Sequence, residues 1–491
     1  MSVDGGGPDV HVGLDLGTSG LKGIALDPAG QVLARSRADY ATHRPEAGAA
    51  EQDPATWLRA VASVVTALLE VVPASRWAGI GLSGMIPTLA VVDSSGRALG
   101  PAITWEDARA EDEGLALREV VGAEALYDLT GQWVDGRYLL PMAARLARAG
   151  ELSSEAVLLL DAKDFVLFWL TGVHATDPST ATGAGAYDLA DGVWRLDVVA
   201  AAERVAGRSL PGLPAVEAAT TLRPLQPARA AAVGLPAGVP VATGAADSVC
   251  GLLGLGLAEP GDIAYLAGSS TVIIGTSVAP VRDPRHRYVV TPLALPGYGQ
   301  EMDLLATGSA IGWLADLLGL DGPAALAMTA ADIDPIGPGI PVFAPYVAPG
   351  EQGAWWDPTL TGTLAGLSLS HGRAEIARAL VSGIVIESAR CVEILAETSA
   401  VGHEIHLAGS SAPDPLPQDL ADATGLDVVV HGGSGWHSAI GAALVCVAGR
   451  SGDRAVRDIL ARRPAPEAVH RPVVGRREAW ARLRAAQDRY R

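Results

Sequence analysis

The stretch Val12-Gly13-Leu14-Asp15-Leu16-Gly17-Thr18-Ser19-Gly20 sets an apolar run against an acid, then a tight turn of glycines and hydroxyls. The apolar run resumes from Leu21 to Leu26, so the segment predicts a strand, a turn and a returning strand. Far downstream, Ile263-Ala264-Tyr265-Leu266 leads into Ala267-Gly268-Ser269-Ser270-Thr271-Val272-Ile273-Ile274, the same pattern again. Such turns leave backbone N–H groups open and bring hydroxyls close, which suits phosphate oxygens. Two of them, one in each half, can grip a polyphosphate from opposite sides.

The surrounding chain is consistent with that reading. At 491 residues it exceeds what one hydrophobic core usually supports, and its 49% apolar content is ample for two. A net charge of -19 argues against nucleic acid or an anionic membrane as the main partner. An acidic protein for an anionic ligand must then build positive potential locally, from amide dipoles, a metal ion and a few cations. Lys22 and Lys163 are the only lysines; arginine supplies the other basic side chains. Cys250, Cys391 and Cys446 are widely spaced, odd in number and form no CxxC pair, so a reducing cytoplasm is expected. The glycine-rich start, Met1 to Pro8, lacks the apolar core of a signal peptide, and no uncharged run reaches membrane-spanning length.

Both halves read as α/β. In the first, Asp53-Pro54 opens a helix running from Thr56-Trp57-Leu58 through Leu68-Leu69, with Asp as cap and Pro at the first helical position. Strands are expected at Ala78–Leu82 and Leu89–Asp93. The unit Leu158-Leu159-Leu160-Asp161-Ala162-Lys163-Asp164 precedes an apolar helix at Phe165–Leu170 and a stop at Thr171-Gly172. The second set begins near Pro240–Gly244, with helices at about Ser309–Leu318 and Ala374–Glu397 and a strand at Ile405–Ala408. Arg476 to Arg491 is arginine-rich and helical in pattern, and reads as a solvated surface helix. Two halves of one plan suggest an internal duplication with a cleft between them.

Asp15 ends the first strand beside Gly17, Thr18 and Ser19, where a carboxylate can hold Mg2+ next to cradled phosphates; a polar strand end in an ordinary hairpin reads the same way. Thr243-Gly244-Ala245-Ala246-Asp247-Ser248 reads as strand, glycine turn and helix start. Phosphoryl transfer to an alcohol needs a carboxylate to accept the hydroxyl proton, and Asp247 is placed for it; taken alone, an N-cap aspartate is the commoner explanation. Lys22, on the returning strand, can reach a phosphate, although no GxxxxGK[ST] precedes it. Gly79-Ile80-Gly81-Leu82-Ser83-Gly84 matches GxGxxG, but its glycines fall inside a strand and Pro87 stands where the required helix would begin. His403 and His406 flank Glu404 on a strand and point to opposite faces, which argues against a metal site.

Taken together, these blocks resemble the FGGY family of carbohydrate kinases, most closely its xylulokinase-like members, over nearly the whole chain. The resemblance rests on Gly13–Ser19, Gly81-Leu82-Ser83-Gly84, Trp105-Glu106-Asp107-Ala108-Arg109, Lys163-Asp164 with Thr171-Gly172, and Asp177-Pro178-Ser179. It continues through Gly244–Asp247, Gly268-Ser269-Ser270, Pro345-Tyr346, Gly362–Leu367 and Glu375–Ala379. It implies an α/β protein of two actin-like (ribonuclease H-like) domains with a catalytic cleft between them, divided at 1–244 and 245–491. It implies ATP and Mg2+ as cofactors, a sugar or polyol as acceptor, and a cytoplasmic enzyme. A homodimer is a base-rate expectation.

By the same resemblance, Asp247 is the general base and Asp15 serves the metal. Gly17, Thr18, Ser19, Lys22, Gly268, Ser269, Ser270, Gly409 and Ser410 attend the nucleotide, while Met85, Ile86, Trp105 and Asp107 line the sugar site. Three departures bear on specificity. Met85-Ile86-Pro87-Thr88 replaces Gln-Met-His-Gly, so an imidazole that reads a sugar hydroxyl is missing. Glu106 replaces Asn, adding charge that, with Asp107, ranks neutral ketoses and polyols above aldonates. Ala408-Gly409-Ser410-Ser411-Ala412-Pro413 lacks the family's cationic residue. That loss motivates an alternative, a catalytically weakened relative that binds sugar or nucleotide as a sensor.

Overall fold

The computed structural model describes residues 8–337, 339–348, 353–357, 359–398, 401–409, 411–412, 414–433, 435–462 and 465–490. They form two compact α/β units. The first comprises Met1–Gly256, Val290–Gly297 and Trp436–Pro464; the second comprises Leu257–Val289, Tyr298–Gly435 and Ala465–Arg491.

The first unit is built on a mixed sheet in the order Leu222–Pro224, Pro240–Ala242, Trp77–Gly84, Val10–Gly17, Gly20–Leu26, Val32–Asp39. The opening hairpin is antiparallel and closes at Gly17 opposite Gly20. Val10–Gly17 runs parallel to Trp77–Gly84, which is also parallel to Pro240–Ala242 and Ala245–Ala246. On one face lies the helix Pro54–Leu69, with Asp53 Oδ1 accepting from Ala55 N at 2.9 Å. Trp57, Val61, Val64 and Leu68 recur at helical spacing and are all buried. The helix His437–Ser451 packs on the sheet so closely that backbone replaces side chain at the contact. A Cβ on Gly13 would stand 1.8 Å from Ala439 O, and one on Gly81 would stand 1.7 Å from Ala442 O. The Gly79–Gly84 run therefore serves helix-on-strand packing, not dinucleotide binding.

Helix Asp247–Gly254 packs on the same returning helix: a Cβ on Gly441 would meet Cys250 O at 1.8 Å, and one on Gly254 would meet His437 O at 2.0 Å. That packing places residues 245–256 and the segment from Trp436 in the first unit, so the boundary expected after Gly244 is displaced to Gly256.

The second unit repeats the plan. Ile263–Ala267 and Thr271–Ser277 form an antiparallel hairpin, and Ile263–Ala267 runs parallel to Glu404–Gly409. Asp427–Val430 extends the sheet in parallel and Ala468–His470 closes it antiparallel. Helix Arg373–Thr398 is buried through most of its length, and Arg378 pairs with Asp419 inside it. The C-terminal helix Arg476–Gln487 lies at the surface and is anchored along one face. Trp480 is buried, Arg476 pairs with Asp422 and Asp334, and Arg484 pairs with Glu393, because the arginines lie beside acids of neighbouring elements. All three cysteines are buried and stand outside any disulfide. Among the described residues, no single helix is long and apolar enough to cross a membrane.

Candidate active site

Three parallel strand ends gather the acids of the first unit. Asp15 lies opposite Ser83, and Ser83 lies opposite Ala245, so Asp15 and the Ala245-Ala246-Asp247 segment leave the same carboxyl end of the sheet. Crevices outside such ends are where open α/β sheets bind ligands. Asp15 is 4% exposed and its Oδ1 accepts from Ser83 Oγ at 2.8 Å. Burial pushes its carboxyl up, while Lys22, its cross-strand neighbour, and the Ser83 hydroxyl pull it back. Lys22 thus lies across the hairpin from Asp15.

Asp247 is half-buried at the first position of its helix. Its Oδ1 accepts from Ser248 N at 2.8 Å and its carbonyl accepts from Ser438 Oγ at 2.9 Å. Gly244, at φ +82°, makes the break before it. A Cβ there would stand 2.1 Å from Leu82 O, so glycine is required by the backbone as well as by any reacting atoms.

The Gly17-Thr18-Ser19 turn is buttressed from several sides. Tyr40 Oη donates to Gly17 O at 2.6 Å, Gln52 Nε2 to Thr18 O at 2.8 Å and Arg37 Nη2 to Ser19 Oγ at 3.1 Å. Gln52 is oriented in turn by the indole N–H of Trp57. Trp105 Nε1 donates to Thr18 Oγ1 at 3.1 Å, which ties a residue expected at the sugar to the turn expected at the phosphates.

The remaining residues expected at the sugar behave differently. Met85 is 1% exposed and belongs to the core of the first unit, while Ile86 is half-buried. Asp107 is 2% exposed and accepts from Ala50 N at 2.9 Å, Arg109 N at 2.9 Å, Arg109 Nη2 at 2.7 Å and Arg109 Nε at 3.0 and 3.1 Å. Its acceptors are committed, so it shapes the loop around Trp105 instead of offering a lone pair to a hydroxyl. Glu106 pairs with Arg44 at 3.0 Å. Glu106 is thus matched by one guanidinium, whereas Asp107 shares Arg109 with Glu51 at 2.6 Å and Glu46 at 3.1 Å.

In the second unit, Ser269 is exposed at the tip of its turn, and Ser269 O accepts from Thr307 N, Ser309 N and Ser309 Oγ. Thr271 Oγ1 and Thr307 Oγ1 are 2.8 Å apart. A Cβ on Gly308 would stand 2.4 Å from Gly268 O and 2.6 Å from Ser411 Oγ. The turn at Gly268-Ser269-Ser270, the start of helix Gly308–Leu317 and the end of strand Glu404–Gly409 thus converge, an arrangement suited to phosphate. Gly409, at φ +122°, lies so near Ala267 O that no side chain fits. Ser410 and Pro413 lie outside the described residues. Elsewhere on that strand, His406 Nδ1 lies 2.9 Å from His431 Nε2. No cluster of three or more His, Cys, Asp or Glu suited to a metal occurs among the described residues.

Comparison with known proteins now decides the family. Residues 10–254 match the N-terminal domain of the FGGY family of carbohydrate kinases, and residues 263–449 match its C-terminal domain. The chain belongs to the FGGY family of carbohydrate kinases. This FGGY kinase is 30% identical to a xylulose kinase of Klebsiella pneumoniae over 436 residues, 88% of this chain and 89% of that one. It superposes on a xylulose kinase structure from Rhodospirillum rubrum with a TM-score of 0.88 at 28% identity, over 98% of both chains. A gluconokinase of Bacillus subtilis (25% over 387 residues; 76% and 74% covered) and a glycerol kinase of Aromatoleum aromaticum (29% over 443 residues; 85% of each) are also similar. As a carbohydrate kinase it uses ATP as phosphate donor.

Sequence reasoning missed several supports of this kinase site. Thr307, Gly308 and Ser309 carry no motif, but a Thr-Gly-Ser at a helix start is a legible signal. Gln52 and Tyr40 give none, because each reaches the turn from a separate element, Gln52 from the short strand Glu51–Gln52 and Tyr40 from just beyond strand Val32–Asp39.

Proposed function

We propose that this FGGY kinase transfers the γ-phosphoryl group of ATP to a hydroxyl of a neutral sugar, a ketopentose such as xylulose. Asp247 accepts the hydroxyl proton as the oxygen attacks phosphorus and the bond to the ADP oxygen breaks, giving sugar phosphate and ADP. The observation that supports the reading is the shared carboxyl end of three parallel strands, from which Asp15 and the segment Ala245–Asp247 both leave. The Gly17–Ser19 and Gly268–Ser270 turns, with Lys22 and Gly409, attend the phosphates.

The donor set fits Mg2+. Asp15 supplies a hard carboxylate oxygen, and Mg2+ bound with a nucleotide takes one or two protein carboxylates and completes its shell with phosphate oxygens and water. Its contribution there is to neutralise charge on the transferring group. Trp105 offers an aromatic face to the C–H side of a sugar, and the similarity to xylulose kinases favours a ketose. Glu106 is paired with Arg44, but Asp107 shares Arg109 with Glu46 and Glu51, so the cluster keeps an excess of carboxylates that disfavours an acid, and the similarity to xylulose kinases points the same way. We place the enzyme in the cytoplasm, with a dimer as its assembly.

The test is ADP release from purified protein with Mg-ATP and D-xylulose, glycerol, D-gluconate and related acceptors. D-Xylulose is expected to give the highest kcat/KM. Gluconate outperforming every neutral sugar would overturn the substrate assignment, and no ADP above background with any acceptor would leave the chain as a binder only.

A further inference from the structure

Lys163 is completely buried, one of two lysines in a chain that otherwise uses arginine. Its Nζ lies 2.6 Å from Asp164 Oδ1 and 3.0 Å from Asp177 Oδ1, and donates to Thr243 O at 3.3 Å. An ammonium has three donors, and three acceptors on separate segments surround this one. A planar guanidinium would not match that arrangement. Burial pulls the Lys163 ammonium down, but Asp164 and Asp177 outweigh it and hold the group charged.

Asp177 carries the contact onward. Its Oδ2 accepts from Ser179 N at 2.9 Å and from the Ser179 hydroxyl. Ser179 Oγ in turn accepts from Ala246 N at 3.0 Å. The segment Thr243–Ala246 is therefore held at both ends: its first carbonyl by Lys163, its last N–H by Ser179. Between them stands Gly244 in a left-handed conformation, and directly after them comes Asp247. Gly84, the register partner of Ala246, packs closely here: a Cβ on it would stand 3.0 Å from Lys163 Cβ.

Buried ion pairs of this kind are poor sources of stability, because apolar residues of similar volume do as well or better. What the cluster does supply is a fixed backbone immediately before the proposed proton acceptor. We propose that Lys163, Asp177 and Ser179 are positioning residues that set the direction of the Asp247 carboxylate by clamping the Thr243–Ala246 backbone. The inference rests on the reading of Asp247 as proton acceptor.

A double-mutant cycle tests it, run with Mg-ATP and whichever of D-xylulose, glycerol and D-gluconate the parent turns over fastest. Ser179→Ala removes the hydroxyl without adding volume. It is expected to lower kcat about 10-fold, with both KM values within about 3-fold of the parent. In an Asp247→Asn background the same substitution should change kcat less than about 3-fold, because the group it positions is already gone. Equal factors in both backgrounds, no effect in the parent, or a rise in KM without a fall in kcat would overturn the positioning role while leaving Asp247 as the base. Near-normal kcat in Asp247→Asn itself would overturn the base assignment, and the inference with it. If Ser179→Ala does not fold, Ser179→Cys, whose thiol is a weak acceptor, runs through the same cycle under the same criteria.

Discussion

Gly81 and Asp107 show how single residues carry the site without touching a substrate. A methyl group on Gly81 would fall 1.7 Å from Ala442 O, so helix His437–Ser451 would have to retreat from the sheet. Gly81→Ala is expected to cost about 3 kcal/mol in urea denaturation, the upper end for overpacking a tight contact; an unchanged midpoint would show that the contact relaxes freely. Asp107 is bound to Arg109 and to Ala50 N at 2.9 Å, with 2% exposure. Neutralising Asp107 weakens this buried network, although Arg109 keeps Glu51 and Glu46 as partners. Asp107→Asn should therefore lower stability by about 1–3 kcal/mol while kcat/KM for the sugar falls less than about 10-fold. Full stability with a collapse of kcat/KM would instead place Asp107 in direct contact with substrate.

At the scale of elements, strand Val10–Gly17 carries a buried histidine whose protonated form is repelled by Arg450 of helix His437–Ser451. Burial, and next the charge of Arg450, hold the His11 imidazole down at about 4, with Asp9 opposing weakly. The unfolded histidine titrates near 6.5, so between pH 6.5 and 4 the unfolded chain binds a proton that the folded one refuses. Stability from this group is thus complete above pH 6.5 and is lost as the pH falls toward 4. Melting temperatures measured from pH 7 to pH 4.5 should fall less steeply for His11→Gln than for the parent; parallel curves would contradict the assignment.

Elements of this kind were largely legible in the sequence. Both strand-turn-strand units, the Asp53-Pro54 helix start and the Gly172 stop could be read because periodicity and capping are local signals. The contacts of Lys163 with Thr243, of Asp107 with Ala50 and of Arg476 with Asp334 could not, since they span 80, 57 and 142 positions. Met85 likewise read as a pocket residue from its motif position, whereas it is buried in the core directly after strand Trp77–Gly84.

For the molecule as a whole, the two units repeat one plan, an antiparallel hairpin with a parallel strand alongside, and each ends its hairpin in a glycine-hydroxyl turn. The first unit adds the acids and the second adds a helix start beside its turn. The central claim is that this FGGY kinase deprotonates its acceptor through Asp247. The most direct measurement is steady-state turnover of Asp247→Asn, which keeps the size of the side chain and an acceptor for Ser248 N, alongside ADP affinity by calorimetry. The account predicts a fall in kcat of at least about 100-fold with ADP affinity within about 3-fold of the parent. Turnover within about 3-fold of the parent would contradict it and return Asp247 to the role of a helix-start aspartate.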